Sequence, residues 1–299
     1  MIAALAVAIL AADEPRLLKY LFKAGDEVKY INTNTRRVTV KQGGKKGEVT
    51  LEQKTANLWK VRSVSPDGSA EVSQTVTRIR ITTAGDPRLG VKTFDSTSEE
   101  NAPALQSFFD DLTKSEIRFK MGPNGAVSDV ALPPKLKERL NAKKEGETPL
   151  LTEQWFTGMV RGSVFNLPTK PVKPGDGWDI PPYTYQESGH WVTMNARITY
   201  EGPVEQEGKK LLKFSRTAEY QVKTPKDEQA APEVNIKRQN AEGFVLLDAT
   251  TCRLVESSMA ESQTTETTAG VQKVETETVV NTTIKLKEPE KEKADQPPP

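Results

Sequence analysis

One cysteine and one histidine occur in the 299 residues of this chain, and their scarcity removes much chemistry at once. Cys252 has no partner for an internal disulfide, and thiolate zinc sites are excluded. A single histidine excludes every two-histidine metal motif, including the helical His-Glu-x-x-His pattern. A serine triad would have to use His190. That residue opens a predicted strand in Glu187-Ser188-Gly189-His190-Trp191, with no nucleophile elbow nearby. It reads more simply as a strand-edge imidazole, exposed or hydrogen-bonded. Cys252, within Thr251-Cys252-Arg253-Leu254, reads as a small buried hydrophobe in a strand. Phosphate loops are missing too, since Gly43-Gly44-Lys45-Lys46-Gly47 joins two predicted strands as a hairpin. No cofactor, no metal and no enzymatic activity are expected.

Charge of one sign is also lacking. The formal net charge is +1, which provides no global attraction to nucleic acid or anionic membrane. Long apolar runs are few, and the apolar fraction is only 35%. Residues 2–12 read IAALAVAILAA, too short for a bilayer, which takes about 20 residues. The run fits the h-region of a secretory signal cleaved near Ala11 or Ala12, although no Lys or Arg precedes it. Residues 1–12 are therefore expected to be a signal-like segment of an exported protein, periplasmic or extracellular. No transmembrane segment is expected after it. Residues 288–299, EPEKEKADQPPP, contain no large apolar side chain and are expected to form a disordered tail.

Period-two alternation dominates what remains. Leu212, Phe214, Ala218, Tyr220 and Val222 share one phase, which Arg216 interrupts. Val192, Met194, Ala196, Ile198 and Tyr200 form a second such set. Val274, Thr276, Thr278, Val280, Thr282, Ile284 and Leu286 form a third, and Val49, Leu51, Trp59 and Val61 a fourth. These patterns predict long antiparallel strands with one wet face. Between Val76 and Ile79 the phase slips by one, which predicts a bulge. Helical spacing is confined to about 100–162. Leu105, Phe108, Phe109 and Leu112 mark one helix, Leu136 and Leu140 a second, Leu151, Trp155 and Met159 a third. The predicted fold class is mostly β (α+β), with long curved antiparallel sheet and a few short helices. It forms one sheet or two related half-barrels. A first β unit with a helical insertion is assigned to 13–165 and a second β unit to 166–287. Three token pairs suggest that the units are copies: Lys23-Ala24-Gly25-Asp26 and Lys173-Pro174-Gly175-Asp176, Asp67-Gly68 and Glu207-Gly208, Asn124-Gly125-Ala126-Val127 and Glu242-Gly243-Phe244-Val245.

The stretch Leu167-Pro168-Thr169-Lys170-Pro171-Val172-Lys173-Pro174-Gly175-Asp176-Gly177-Trp178 resembles a junction in exported bacterial proteins of unknown function, where it precedes a second β meander. The opening Leu18-Lys19-Tyr20-Leu21-Phe22-Lys23-Ala24-Gly25-Asp26-Glu27-Val28-Lys29-Tyr30 is similar to the start of the same proteins. The resemblance implies a duplicated β meander, architecturally similar to the half-barrels of envelope lipoprotein carriers. It implies no activity, and no functional residue carries over from it.

Candidate binding residues come from the strand phases. Met194, Ile198, Tyr200, Phe214, Arg216 and Tyr220 are placed on the inner face of the second unit. Thr276, Thr278 and Thr282 share inward phases. Such a mixture is polar for a dry core. It suits an amphipathic ligand with its chain on the aromatics and an anionic head near Arg216. The alternative is that the helices at 101–115 and 149–162 cover this face. Paired carboxylates at Asp110-Asp111, or at Asp176 and Asp179, are the remaining hydrolase candidates, although Asp176 fits a tight turn better. Residues 15–62 carry an excess of 8 positive charges and residues 226–299 an excess of 5 negative. This pattern fits strands that pair across the fold, or a basic face for a partner. The expected function is non-catalytic binding or carriage of a lipid or other amphipathic ligand. A structural or interaction role with another envelope protein ranks second and a hydrolase third. Nucleic acid is not an expected partner.

Overall fold

The computed structural model describes residues 14–85, 93–101, 103–113, 115–141, 153–187, 190–223, 233–269 and 272–287. The signal-like segment at 1–12 and the tail at 288–299 lie outside the described residues. Twelve strands form one open antiparallel sheet. In chain order the elements are β1 (Glu27–Gln42), β2 (Lys45–Val64), β3 (Ala70–Ala84), β4 (Thr93–Asp95), α1 (Pro103–Thr113), β5 (Glu116–Met121), β6 (Val127–Ala131), α2 (Pro134–Asn141) and α3 (Glu153–Gly162). They continue with β7 (Gly177–Glu187), β8 (His190–Gln206), β9 (Lys209–Lys223), β10 (Glu233–Asp248), β11 (Leu254–Ala269) and β12 (Gln272–Lys287). The predicted helical window, 100–162, holds all three helices of the described residues.

Two meanders build the sheet. The first runs from β1 outward to β6. The chain then crosses through α2 and α3 to the opposite edge and returns from β7 to β12, which pairs with β1. The predicted slip in β3 is real: the β2–β3 register shifts between Asn57↔Val76 and Ala56↔Arg78. Thr77 is the extra residue, and its hydroxyl donates to the Ala56 carbonyl at 3.1 Å. Gly43 and Gly44, with φ of 55° and 78°, make the two-residue turn between β1 and β2.

The KxGD tokens form matching turns. Asp26 N donates to Lys23 O, Gly25 N to Val61 O and Val61 N to Asp26 O. Asp176 N donates to Lys173 O, Gly175 N to Tyr200 O and Tyr200 N to Asp176 O. Gly25 and Gly175 have φ of 88° and 92°. The second token pair also falls in corresponding hairpins, β2–β3 and β8–β9. The third does not correspond, since Gly125 lies in the β5–β6 turn whereas Gly243 lies inside β10.

The main core fills one end of the concave face. Trp59, Tyr30 and Phe119 meet edge to face on the first meander. Phe214 packs against Tyr200, Phe165 and Trp178 on the second. The segment at 16–22 ties the two together: Tyr20 N donates to Pro123 O in the β5–β6 turn, and Leu21 N donates to Thr251 O in the β10–β11 turn. The Tyr20 hydroxyl donates to the Phe165 carbonyl at 2.8 Å. Helix α1 packs on β3, and α3 packs on β6. These contacts place α1 and α3 against the first meander, while Phe156 and Val160 of α3 share the main core with Ile198, Tyr200 and Phe214 of the second.

Charged residues on the outer surface pair where β1 meets its neighbours, as with Lys41 and Glu275 at 2.8 Å and Lys60 and Glu27 at 2.7 Å. The basic and acidic segments therefore lie side by side. Exposed pairs of this kind are each worth about 0–1 kcal/mol.

Candidate functional site: a cleft on the concave face

Register lines up the concave face in rows that cross the whole sheet. One row reads Tyr200, Phe214, Val245, Ser257, Ile284, Asn32, Thr55 and Ile79. The next reads Trp178, Ile198, Arg216, Gly243, Met259, Thr282, Asn34, Gln53 and Ile81. Farther along, Glu261, Val280, Arg36 and Leu51 share a row, followed by Gln263, Thr278, Val38 and Val49. The face thus changes from apolar to polar along each strand. Ile198, Phe214 and Leu212 are 0% exposed, whereas Val274, Thr276, Thr278, Val280 and Thr282 remain half-buried.

A cleft of about 360 Å³ opens on the polar half. Its walls include Arg36 and Val280 on one side and His190, Val192, Tyr220 and Val222 on the other. Strands β1 and β8 are five intervals apart in the sheet, which is about 24 Å if flat. Only strong curvature brings Arg36 and His190 to one cleft. The β9–β10 ladder contributes as well. Its pairing covers Leu211–Thr217 with Glu242–Asp248 and stops there. Beyond that point Gln239 Oε1 accepts from Tyr220 N at 2.8 Å in place of a backbone carbonyl. The parted strands leave Tyr220 and Val222 on one wall and Val234 and Asn240 on the other.

The six candidate residues do share this face, but they divide into three groups. Ile198, Tyr200 and Phe214 are buried in the main core and do not line the cleft. Met194 and Tyr220 pack on a small cluster of Ala196, Ala218, Ala241 and Met259, and Tyr220 reaches the cleft wall. Arg216 is half-buried between these groups. Of the inward threonines, Thr276 and Thr278 line the cleft, while Thr282 accepts a hydrogen bond from Asn34 at 2.8 Å. Of the wall residues, Val192, Val222 and Val280 belong to alternations read from the sequence, whereas Val234, Glu261 and Gln263 belong to none of them, and the meeting of these distant strands has no local signal.

His190 begins a strand as expected and lines the cleft at 5% exposure, which removes the exposed form of that reading. One expectation needs correction. Cys252 lies in the β10–β11 turn rather than in a strand, with φ of 55°. Asp248 organises that turn by accepting from Thr250 N and Thr251 N. Burial raises the Cys252 thiol pKa. The carboxylate candidates on β7 and its leading turn have structural partners. Asp176 accepts from Lys173 N at 2.9 Å, and Asp179 pairs with Arg197 at 3.0 Å. Among the described residues no group of three or more acidic, histidine or cysteine side chains is placed to hold a metal. No described helix is long and apolar enough to cross a membrane.

No protein-family model matches the chain. No curated protein matches it. Among solved structures, 89% of the chain is similar to lipovitellin, from a study of lipid–protein interactions, at 11% identity and a TM-score of 0.44. It spans 25% of that protein's length. Ninety per cent of the chain is similar to 98% of an outer-membrane channel from Pseudomonas putida F1, at 9% identity and a TM-score of 0.26. A domain assigned to outer-membrane lipoprotein sorting in Vibrio parahaemolyticus is similar to 86% of the chain over 85% of its own length, at 8% identity and a TM-score of 0.17.

Proposed function

We propose that this chain is a non-catalytic carrier of the cell envelope that holds an apolar or amphipathic ligand on the concave face of its sheet. The observation that carries the reading is the cleft between β1, β12 and β11 on one side and β8 and β9 on the other. Its volume, about 360 Å³, falls within the usual range for small-molecule sites. Valines and polar side chains alternate on its walls, which suits a ligand with both characters. A non-catalytic role fits the separation of His190, at the cleft, from Cys252, in the turn beside the closing segment at 16–22. Export would follow from the apolar run at 2–12.

The test is thermal unfolding with a series of 12-carbon amphiphiles: dodecanol, dodecanoate and dodecyl phosphate. At least one should raise the melting temperature saturably at 1:1 stoichiometry. A ligand at 100 times its Kd stabilises the native state by about 2.7 kcal/mol. Thr278→Trp, which fills part of the cleft, should remove the rise while unfolding stays cooperative. No shift with any of the three would end the carrier reading.

A further inference from the structure

Four buried side-chain polar atoms lack a hydrogen-bond partner among the described residues: Asn32 Oδ1, Gln74 Oε1, Trp178 Nε1 and Arg216 Nε. All four belong to side chains in the concave phase. Arg216 matters most, because it carries a full charge. It stands between Ile198 and Gly243 in its row, one row beyond fully buried Phe214. No described carboxylate pairs with it. Glu261 stands one row farther along and two strands away. A half-buried cation at the edge of an apolar core is costly unless an anion meets it. Toward the cleft Arg216 is flanked by small residues, Ala196, Ala218, Ala241 and Gly243, the alanines being packed under Met194, Tyr220 and Met259. Beyond them Val192, Val222, Val234 and Val280 line the cleft.

Resting on the carrier reading, we infer that the ligand is an anionic amphiphile whose head binds Arg216 where the dry core gives way to the cleft. Its aliphatic chain runs outward along the valine-lined walls. A carboxylate or a phosphate monoester supplies the required chemistry, since either accepts the forked N–H groups of a guanidinium.

Calorimetric titration of the whole chain with dodecanol, dodecanoate and dodecyl phosphate separates the ideas. One or both anions should bind roughly tenfold to hundredfold tighter than the alcohol, the worth of a charge-assisted hydrogen bond. The tighter anion shows whether the head is a carboxylate or a phosphate. Arg216→Gln should abolish the preference, so that the anions bind no tighter than the alcohol, while Arg216→Lys should retain part of it. Equal binding of alcohol and anions by the wild type overturns the anionic head but leaves the carrier reading standing. Binding of none of them overturns both. If Arg216→Gln does not fold, the wild-type comparison and Arg216→Lys still decide. An anion preference that persists undiminished in a folded Arg216→Gln protein moves the site elsewhere.

Discussion

Gly243 lies within β10, facing Arg216 on one side and Met259 on the other. A methyl group at that position would sit 2.0 Å from the Ser258 carbonyl oxygen and 2.9 Å from Met259 Cα. Both are backbone atoms of β11, so no side-chain rotation relieves the clash. A tight carbon–oxygen contact needs about 3.3 Å, and the strands would therefore have to separate locally by about 1 Å. Overpacking of this kind costs about 1–3 kcal/mol. Weakening one or two ladder hydrogen bonds adds about 1 kcal/mol each. The usual benefit of Gly→Ala, about 0.4–1 kcal/mol from restricting the unfolded chain, offsets part of that. Gly243→Ala should thus destabilise by about 2–4 kcal/mol, a fall of roughly 4–10 °C in melting temperature. Urea denaturation followed by tryptophan fluorescence measures the loss. Gly47→Ala is the control, because nothing lies within 4 Å of its added methyl group. If Gly243→Ala proves neutral or stabilising like the control, β10 and β11 do not approach so closely, and the row that sets Arg216 opposite Gly243 is misplaced.

Other perturbations read different parts of the molecule. Arg216→Leu should raise the melting temperature of the ligand-free protein by roughly 2–6 °C, because an unpartnered buried polar group costs about 1–3 kcal/mol; a fall in calorimetry would mean that the guanidinium has stabilising partners. Asp95 accepts from Arg78 at 2.5 and 3.1 Å, and these bonds, with help from Thr97, hold its carboxyl well below the usual range. Its stabilising contribution is present above the ordinary carboxylate pKa of about 4 and is lost as pH falls through the lowered value. The stability gap between wild type and Arg78→Gln should therefore be constant at neutral pH and shrink below about pH 4, and a gap that widens on acidification would contradict this. Cys252 is 4% exposed with a raised thiol pKa, so iodoacetamide should label it only on unfolding; rapid labelling of native protein would show that the β10–β11 turn opens.

What the sequence determined by itself is local. Alternation alone put Phe214, Arg216 and Tyr220 on one face, because side chains reverse at every residue of a strand. The slip between Val76 and Ile79 located the bulge, and 3.6-residue spacing located the three helices, for the same local reason. The turns at Gly25 and Gly175 were legible because few residues adopt positive φ without strain. Burial along a strand was another matter. Phe214 and Tyr220 share a phase, yet one is sealed in the core and the other lines a cleft. That difference depends on what packs above each residue, including the segment at 16–22 and Phe165, far away in the chain. The pairing of β1 with β12, such as Tyr30 with Leu286, likewise has no local signal. Only the accumulated twist of the completed sheet brings Arg36 and His190 to one cleft, because curvature is a property of many paired strands and of none alone.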